Sequence, residues 1–286
     1  MLSPFVCLIA FSTPKSLTGH AGALVGDATY ITGGMQLVNE GRYFGELWKI
    51  DCNTKTWQTL PGPKTPRGMA AMASVGDRLV LVGGLRWPDT ALASAESFDL
   101  MSKRWTDLSP LLQARSRFAL IAVGNTVFAL GGLGDRGNLD SIESFDFKSR
   151  AWKTVGKLSL PRHGLAAAAM GGKIYVAGGF TEDRTTARFE VFDPVTGHTT
   201  VLPDMPGPRG FFALVPFGNG LLAVGGRQSD AKSMFYDPKT RLWSPLTKPD
   251  LDRNRFVAFV RQNKLWVIGG ESRDSVPVLD SLDIRK

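Results

Sequence analysis

Cysteine is almost missing from this chain. Cys7 and Cys52 are the only two among 286 residues, too few for a disulfide framework and without metal-ligand spacing. Two reduced thiols fit an intracellular, cytoplasmic setting. Histidine is nearly as scarce: His20, His163 and His198 stand far apart in sequence. The chain has no Gly-x-Ser-x-Gly elbow, and neither cysteine has an evident catalytic partner. No apolar run is long enough to span a bilayer. Pro4 to Phe11 is apolar, but it is short for a signal-peptide core and lacks a basic leader. Lysine and arginine give a net charge of +8 and a pI of about 9.6, yet no basic run reaches five residues. A basic stripe with interleaved aromatics, the mark of a nucleic-acid binder, is missing too. Helical periodicity is nowhere visible. The expectation is a protein without catalytic residues, cofactor or metal, binding neither nucleic acid nor membrane.

What the chain has in plenty is glycine, 32 residues, and twelve of them form six pairs. The pairs are Gly33-Gly34, Gly83-Gly84, Gly131-Gly132, Gly178-Gly179, Gly225-Gly226 and Gly269-Gly270, separated by 50, 48, 47, 47 and 44 residues. Each closes a short apolar run. Other landmarks keep step with them: Trp57, Trp105, Trp152, Thr199 and Trp243 are each followed ten residues later by Arg67, Arg115, Arg162, Arg209 and Arg253. Asp51, Asp99, Asp146, Asp193 and Asp237 lie six residues before the tryptophan position. Three spacings held through five units mean a repeat architecture.

Within a unit the local signals are those of strands. Residues 68–75 and 78–82 are apolar runs joined by Gly76-Asp77, and Gly124-Asn125, Gly171-Gly172 and Gly218-Asn219 repeat that hairpin chemistry. Glu96 to Asp99 then alternates polar and aromatic residues, and the tryptophan segment follows. Four short strands per unit, six times over, predict an all-β propeller around a central channel. Phe5 to Lys15 has the ten-residue tryptophan-to-arginine spacing. Residues 4–11 therefore read as the fourth strand of the last unit, whose other strands end the chain. Such a closure removes an exposed sheet edge.

The glycine pair, the aromatic-aspartate step, the spaced tryptophan and the Pro-x-x-x-Arg-like endings resemble kelch repeats. The resemblance covers nearly the whole chain as one domain, with repeats at about 15–60, 67–109, 115–158, 162–204, 209–248 and 253–286 plus 4–11. It departs from the pattern at Thr199 and Leu282, at Ile50, and at Met234-Phe235-Tyr236, which lacks the glutamate. It implies a six-bladed propeller with four antiparallel strands per blade. Its implied function is binding of a protein or peptide, as in substrate-recruiting ubiquitin-ligase adaptors and cytoskeletal scaffolds. Sialic-acid epimerases, carbohydrate-active enzymes of similar architecture, are the alternative.

Strand alternation puts the connections after the second and fourth strands on one face. Stretches between the glycine pair and the next aspartate vary most in length, and variable loops on a rigid scaffold carry recognition. The resemblance assigns partner contacts to residues just after the glycine pair, including Phe180, Arg227 and Glu271. Others follow the spaced arginine: Met69, Ser116, Arg117, His163, Phe211, Asn254 and Arg255. Guanidinium groups pair bidentately with carboxylates, so Arg117, Arg255 and Arg227 point to an acidic partner. Counting from Lys15, the matching positions of the first repeat are Ser16 and Leu17.

Overall fold

A computed structural model describes residues 11–12, 18–35, 43–86, 88–227, 232–247, 251–272 and 278–283. The described residues contain strands and turns, with six four-stranded antiparallel sheets. Five of these sheets are consecutive in sequence. Their first strands are Thr18–Val25, Ala71–Val75, Ala119–Val123, Ala166–Met170 and Ala213–Phe217. The sixth sheet joins Val257–Arg261, Lys264–Ile268 and Val278–Asp283 to Phe11–Ser12 from the other end of the chain. The protein is a β-propeller.

Each interface between neighbouring sheets has its own apolar cluster. Ala21, Leu47, Met72, Leu79 and Phe98 join the first sheet to the second. Val80, Phe118, Val127, Phe145 and Trp152 join the second to the third. The ring also meets itself: Ile31, Phe44, Trp48 and Ile50 of the first sheet pack with Phe259, Trp266 and Ile268 of the sixth. At the edge of that seam, Arg261 pairs with Asp27 at 2.6 Å.

Trp105 and Trp152 tie two of these interfaces by hydrogen bond as well as by area. Trp105 Nε1 donates to the Pro61 carbonyl at 2.7 Å, and Trp152 Nε1 donates to that of Ser109 at 2.9 Å. Thr199, standing in the tryptophan slot, keeps the same bond: its Oγ1 donates to the Lys157 carbonyl at 2.7 Å. What the fourth unit loses there is apolar area rather than the polar tie. The repeating aspartate turns the third strand into the fourth. Asp99 Oδ1 accepts from the Met101 and Ser102 amides, and Asp51, Asp146, Asp193 and Asp237 do likewise in their turns.

The amino-terminal register differs from the expectation. Residues 4–10 lie outside the described residues, and the pairing observed is Phe11 with Leu279 and Ser12 with Val278. In the other units the arginine precedes the glycine pair by 16 residues, which puts Leu17, not Lys15, in that slot of the first unit. The tryptophan slot then falls at Cys7 instead of Phe5. With this shift, Phe11 opposite Leu279 matches Gly156 opposite Ile142 in the third sheet. Pro14-Lys15 resembles the Pro-Arg endings but stands two residues before the arginine slot.

Deleting residues 1–12 removes the sixth sheet's fourth strand. The melting temperature should fall by about 2–4 °C per kcal/mol lost. An unchanged melt would show that the segment adds no closure. Trp152→Ala should cost about 3–5 kcal/mol in a urea titration. Thr199→Ala should cost about 1 kcal/mol, the worth of one hydrogen bond.

Candidate functional site

The channel mouth is built by a rule repeated around the ring. The first glycine of a pair has positive φ, 60° at Gly83 and 66° at Gly225. A Cβ there would run into the carbonyl of the next unit's arginine. The second glycine's amide donates to that same carbonyl: Gly34 to Arg67, Gly84 to Arg115, Gly132 to Arg162, Gly179 to Arg209 and Gly226 to Arg253. Only glycine permits both the approach and the dihedral.

The arginines at these slots are structural. Arg67, Arg115 and Arg162 are fully buried. They pair with Glu96, Glu143 and Glu190 of their own sheets, the last at 2.6 Å. Arg115 also donates to the Gly131 and Ser141 carbonyls. The glutamates accept amides from the preceding connection: Lys64 on Glu96, Leu112 and Gln113 on Glu143, Ser159 on Glu190. Burial pulls the three guanidinium groups below their usual range, and the glutamate charge opposes it. In the first unit both partners change together, to Leu17 and Trp48. A lone buried charge is the costly alternative.

Just past each arginine the chain reaches the mouth. The residue one beyond pairs as a β-bridge with the residue after the glycine pair: Gly68 with Leu85, Ser116 with Leu133, His163 with Phe180, Gly210 with Arg227, Asn254 with Glu271. In the first sheet Thr18 pairs with Met35. The residue two beyond is always left-handed, with φ of 61° at Gly19, 52° at Met69, 54° at Arg117, 62° at Gly164, 54° at Phe211 and 55° at Arg255. These six form a closed circle of hydrogen bonds. The amide of Met69 donates to Gly19, Arg117 to Met69, Gly164 to Arg117, Phe211 to Gly164, Arg255 to Phe211, and Gly19 back to Arg255. Thr18 and Gly19 thus take the places expected for Ser16 and Leu17, which lie outside the described residues. Behind the circle is a cavity of about 140 Å³, lined in part by Phe118, Phe212 and Phe256.

The sequence-predicted residues divide into distinct groups on this frame. Met69 and Ser116 are buried: Met69 lies over Gly19, and Ser116 Oγ donates to the Leu133 carbonyl. Arg227 is exposed. Asn254 Nδ2 donates to the Glu271 carbonyl at 3.4 Å. His163, Phe180 and Phe211 come together as one aromatic cluster. The His163 and Phe180 rings stack 5.4 Å apart, and Phe211 lies 5.1 Å from Phe180. The Arg255 guanidinium sits 4.8 Å from the centre of the Phe211 ring. It also pairs with Glu271 at 2.9 Å, a carboxylate that accepts a second bond from Thr18 at 2.7 Å. Arg117 faces Arg255 from half the ring away and makes no ion pair among the described residues.

The charge state of His163 follows from its surroundings. Burial, then the charges of Arg117 and Arg255, lower its pKa to about 4. Asn138 Nδ2 donates to the Phe180 carbonyl at 3.4 Å, which turns Asn138 Oδ1 toward His163 Nδ1, 2.7 Å away. A neutral imidazole must then carry its proton on Nδ1 and present Nε2 as an acceptor. His20, which sequence reasoning left unassigned, lines the cavity, and neither ring nitrogen finds hydrogen-bond geometry. Burial lowers its pKa to about 4, partly offset by the nearby Ile268 backbone. Its place three residues past Leu17, where other units carry Ala70, Phe118, Leu165, Phe212 and Phe256, marks the position in the repeat.

A sheet ring with a bridged, left-handed mouth defines a repeat propeller that presents loops around a channel. Known sequences agree on which one. The model for the KLHDC2/KLHL20/DRC7 Kelch-repeats domain matches residues 8–132, and the Kelch motif matches 114–159 and 161–206. The chain belongs to the kelch-repeat family. Kelch-like protein 36 of Bos taurus is 32% identical over 127 residues, 42% of this chain and 20% of that protein. Kelch-like protein terF of Aspergillus terreus is 30% identical over 129 residues, covering 43% of this chain and 28% of that protein. Kelch-like protein 34 of Homo sapiens is 30% identical over 135 residues, 43% and 21% of the two chains. The chain therefore matches only 20–28% of the length of these relatives.

The two depressed histidines make stability depend on pH in a definite sense. Between about pH 4 and 6.5 the unfolded chain binds protons that folded His20 and His163 do not. Their contribution is complete above pH 6.5 and declines as pH falls toward 4. Nitrogen-15 NMR should find His163 as the Nδ1–H tautomer, titrating near pH 4. Arg117→Ala should raise that midpoint by removing a nearby cation. An unmoved midpoint would separate the two side chains. In a second test, Arg115→Leu should cost about 3–5 kcal/mol because it strands the buried Glu143 charge. The double change Arg115→Leu with Glu143→Leu should recover part of that loss in a urea titration.

Proposed function

We propose that residues 1–286 form a six-bladed kelch propeller, closed by its amino-terminal strand, that binds an acidic segment of a protein partner at the channel mouth. Kelch-like relatives support a protein-interaction module as the general class. The observation that carries the finer reading is the pair Arg117 and Arg255. They occupy equivalent left-handed positions half the ring apart, beside a histidine held neutral. Two cations converging on a half-buried mouth favour a carboxylate-bearing ligand, and a net charge of +8 favours its approach. Phe180, Phe211 and His163 supply the apolar contact, while Arg227 at the rim adds to the field. Nothing in this arrangement needs a cofactor. The role is that of an intracellular scaffold or substrate-recruiting adaptor.

The test is an affinity pull-down followed by titration of the recovered partner with wild type and with Arg117→Ala/Arg255→Ala. Both arginines already stand at left-handed backbone, so alanine adds no new strain. The Arg255–Glu271 pair is partly exposed, and such pairs are worth about 0–1 kcal/mol. The melt should therefore hardly move, while losing a desolvated charge pair at an interface costs about 2–5 kcal/mol of affinity. Unchanged affinity with an unchanged melt would move the site to the opposite face or the outer rim.

A further inference from the structure

The mouth carries more information than its charge. Arg117 and the aromatic cluster are separated by a single position of the hydrogen-bonded circle, and that position is Gly164. Because Gly164 has no side chain, Phe180 and Phe211 close over it: a Cβ there would meet each ring at 3.0 Å. Phe180 lies over Gly210 in the same way. Two glycines thus let the rings settle low and present an aromatic shelf next to Arg117, with the Phe180 and Phe211 planes 43° apart. His163 stacks against Phe180, its ring 23° from the plane of Phe180. Held neutral, it adds a π-face and an Nε2 acceptor without adding repulsion. Phe180, Phe211 and His163 are all half-buried rather than sealed into the core.

The opposite side of the mouth already shows a comparable arrangement filled by the chain itself. There Arg255 rests on the Phe211 ring while its guanidinium holds the Glu271 carboxylate. That carboxylate is further fixed by Thr18. Arg117 has the matching place half the ring away, next to the same aromatic shelf, without an ion-pair partner among the described residues. An incoming carboxylate reaches Arg117 without displacing an internal acid, whereas at Arg255 it must compete with Glu271.

Resting on the proposed acidic-partner reading, we infer that the mouth selects a peptide in which an acidic residue is followed by an aromatic one. The carboxylate takes Arg117. The neighbouring ring lies on the Phe180–Phe211–His163 shelf, where offset and edge-to-face contacts are favourable. Glu271 keeps Arg255 occupied, so one carboxylate rather than two is read.

Short blocked glycine–serine peptides carrying Glu-Phe, Glu-Ala or Gln-Phe, each with a fluorescent label, separate the components by anisotropy titration against the full chain. Glu-Phe should bind at least about tenfold tighter than either of the others, a factor worth roughly 1.4 kcal/mol. Phe180→Leu, which keeps apolar bulk but removes the ring, should reduce the advantage of Glu-Phe over Glu-Ala and leave Glu-Ala unchanged. Arg117→Gln should bring Glu-Phe down to Gln-Phe, and thermal melts check that both variants remain folded. Equal affinity for Glu-Phe and Glu-Ala would overturn the shelf while leaving an acidic partner in place. Equal affinity for Glu-Phe and Gln-Phe would overturn the acidic reading and this inference together. No binding of any of the three at millimolar peptide would overturn the inference.

Discussion

The structure depends on the approach of one glycine pair to one carbonyl. At five interfaces the chain of one sheet comes close enough to the next unit's arginine that a methyl group would not fit, and a glycine amide takes that arginine's carbonyl. The approach sets the distance between neighbouring first and second strands, and so the radius of the ring. It also forces the arginine side chain inward. There a glutamate and carbonyls meet the charge of Arg67, Arg115 and Arg162, because an unpaired buried charge costs several kcal/mol, while Arg209, with Met234 in the glutamate slot, donates to the Gly225 and Lys232 carbonyls. Glutamate in turn ties down the connection arriving from the previous sheet. One steric fact thus leads to an ion pair, a loop anchor and an inter-sheet hydrogen bond. The first unit shows the same logic by omission, since leucine and tryptophan replace the pair together.

The mouth inherits its geometry from that interface. One residue past the arginine the chain bridges to the glycine-pair strand, and two past it the backbone turns left-handed and links to its neighbours. The hydrogen bonds of this circle are made by backbone, so the side chains there are free of the repeat's structural demands. That freedom is why glycine, methionine, phenylalanine and arginine all occur at equivalent positions. A rigid backbone with variable side chains is the physical form of a recognition surface. The electrostatics then follow from what the variable positions happen to hold. Burial and then two arginines depress a histidine between them, one arginine is satisfied by an internal carboxylate, and the other is not ion-paired among the described residues.

Much of this was legible in the sequence because the repeat is a local pattern. Glycine pairs at about 44–50 residue spacing, hairpin glycines and aspartate turns each have a local conformational cause, and each appears where expected. Three of the spaced arginines, Arg67, Arg115 and Arg162, are completely buried, which makes them part of the frame. In the amino-terminal unit the slots lie two residues beyond the positions that Pro14-Lys15 and Phe5 suggest. Its arginine slot holds leucine and its tryptophan slot holds cysteine, so the side chains that mark the register elsewhere were missing. Only the distance from the described glycine pair restores the count. Thr199 looked like a loss, yet its hydroxyl preserves the tryptophan's bond to the preceding sheet.

By itself the sequence determined the strand order, the all-β class, the period, and which positions fall just beyond the glycine pair and the arginine. These depend on interactions between residues near in sequence or on spacing repeated often enough to average out exceptions. Tertiary structure alone decided which of those positions meet. It turned the two sets into bridged pairs, buried Met69 and Ser116, and gathered His163, Phe180 and Phe211 into one shelf. It also gave Arg255 a carboxylate from its own chain while leaving Arg117 without an ion pair among the described residues. The bridged partners belong to one unit, but Phe211 and Thr18 reach Phe180 and Glu271 from neighbouring units, and such contacts depend on packing between sheets that spacing within one unit does not encode.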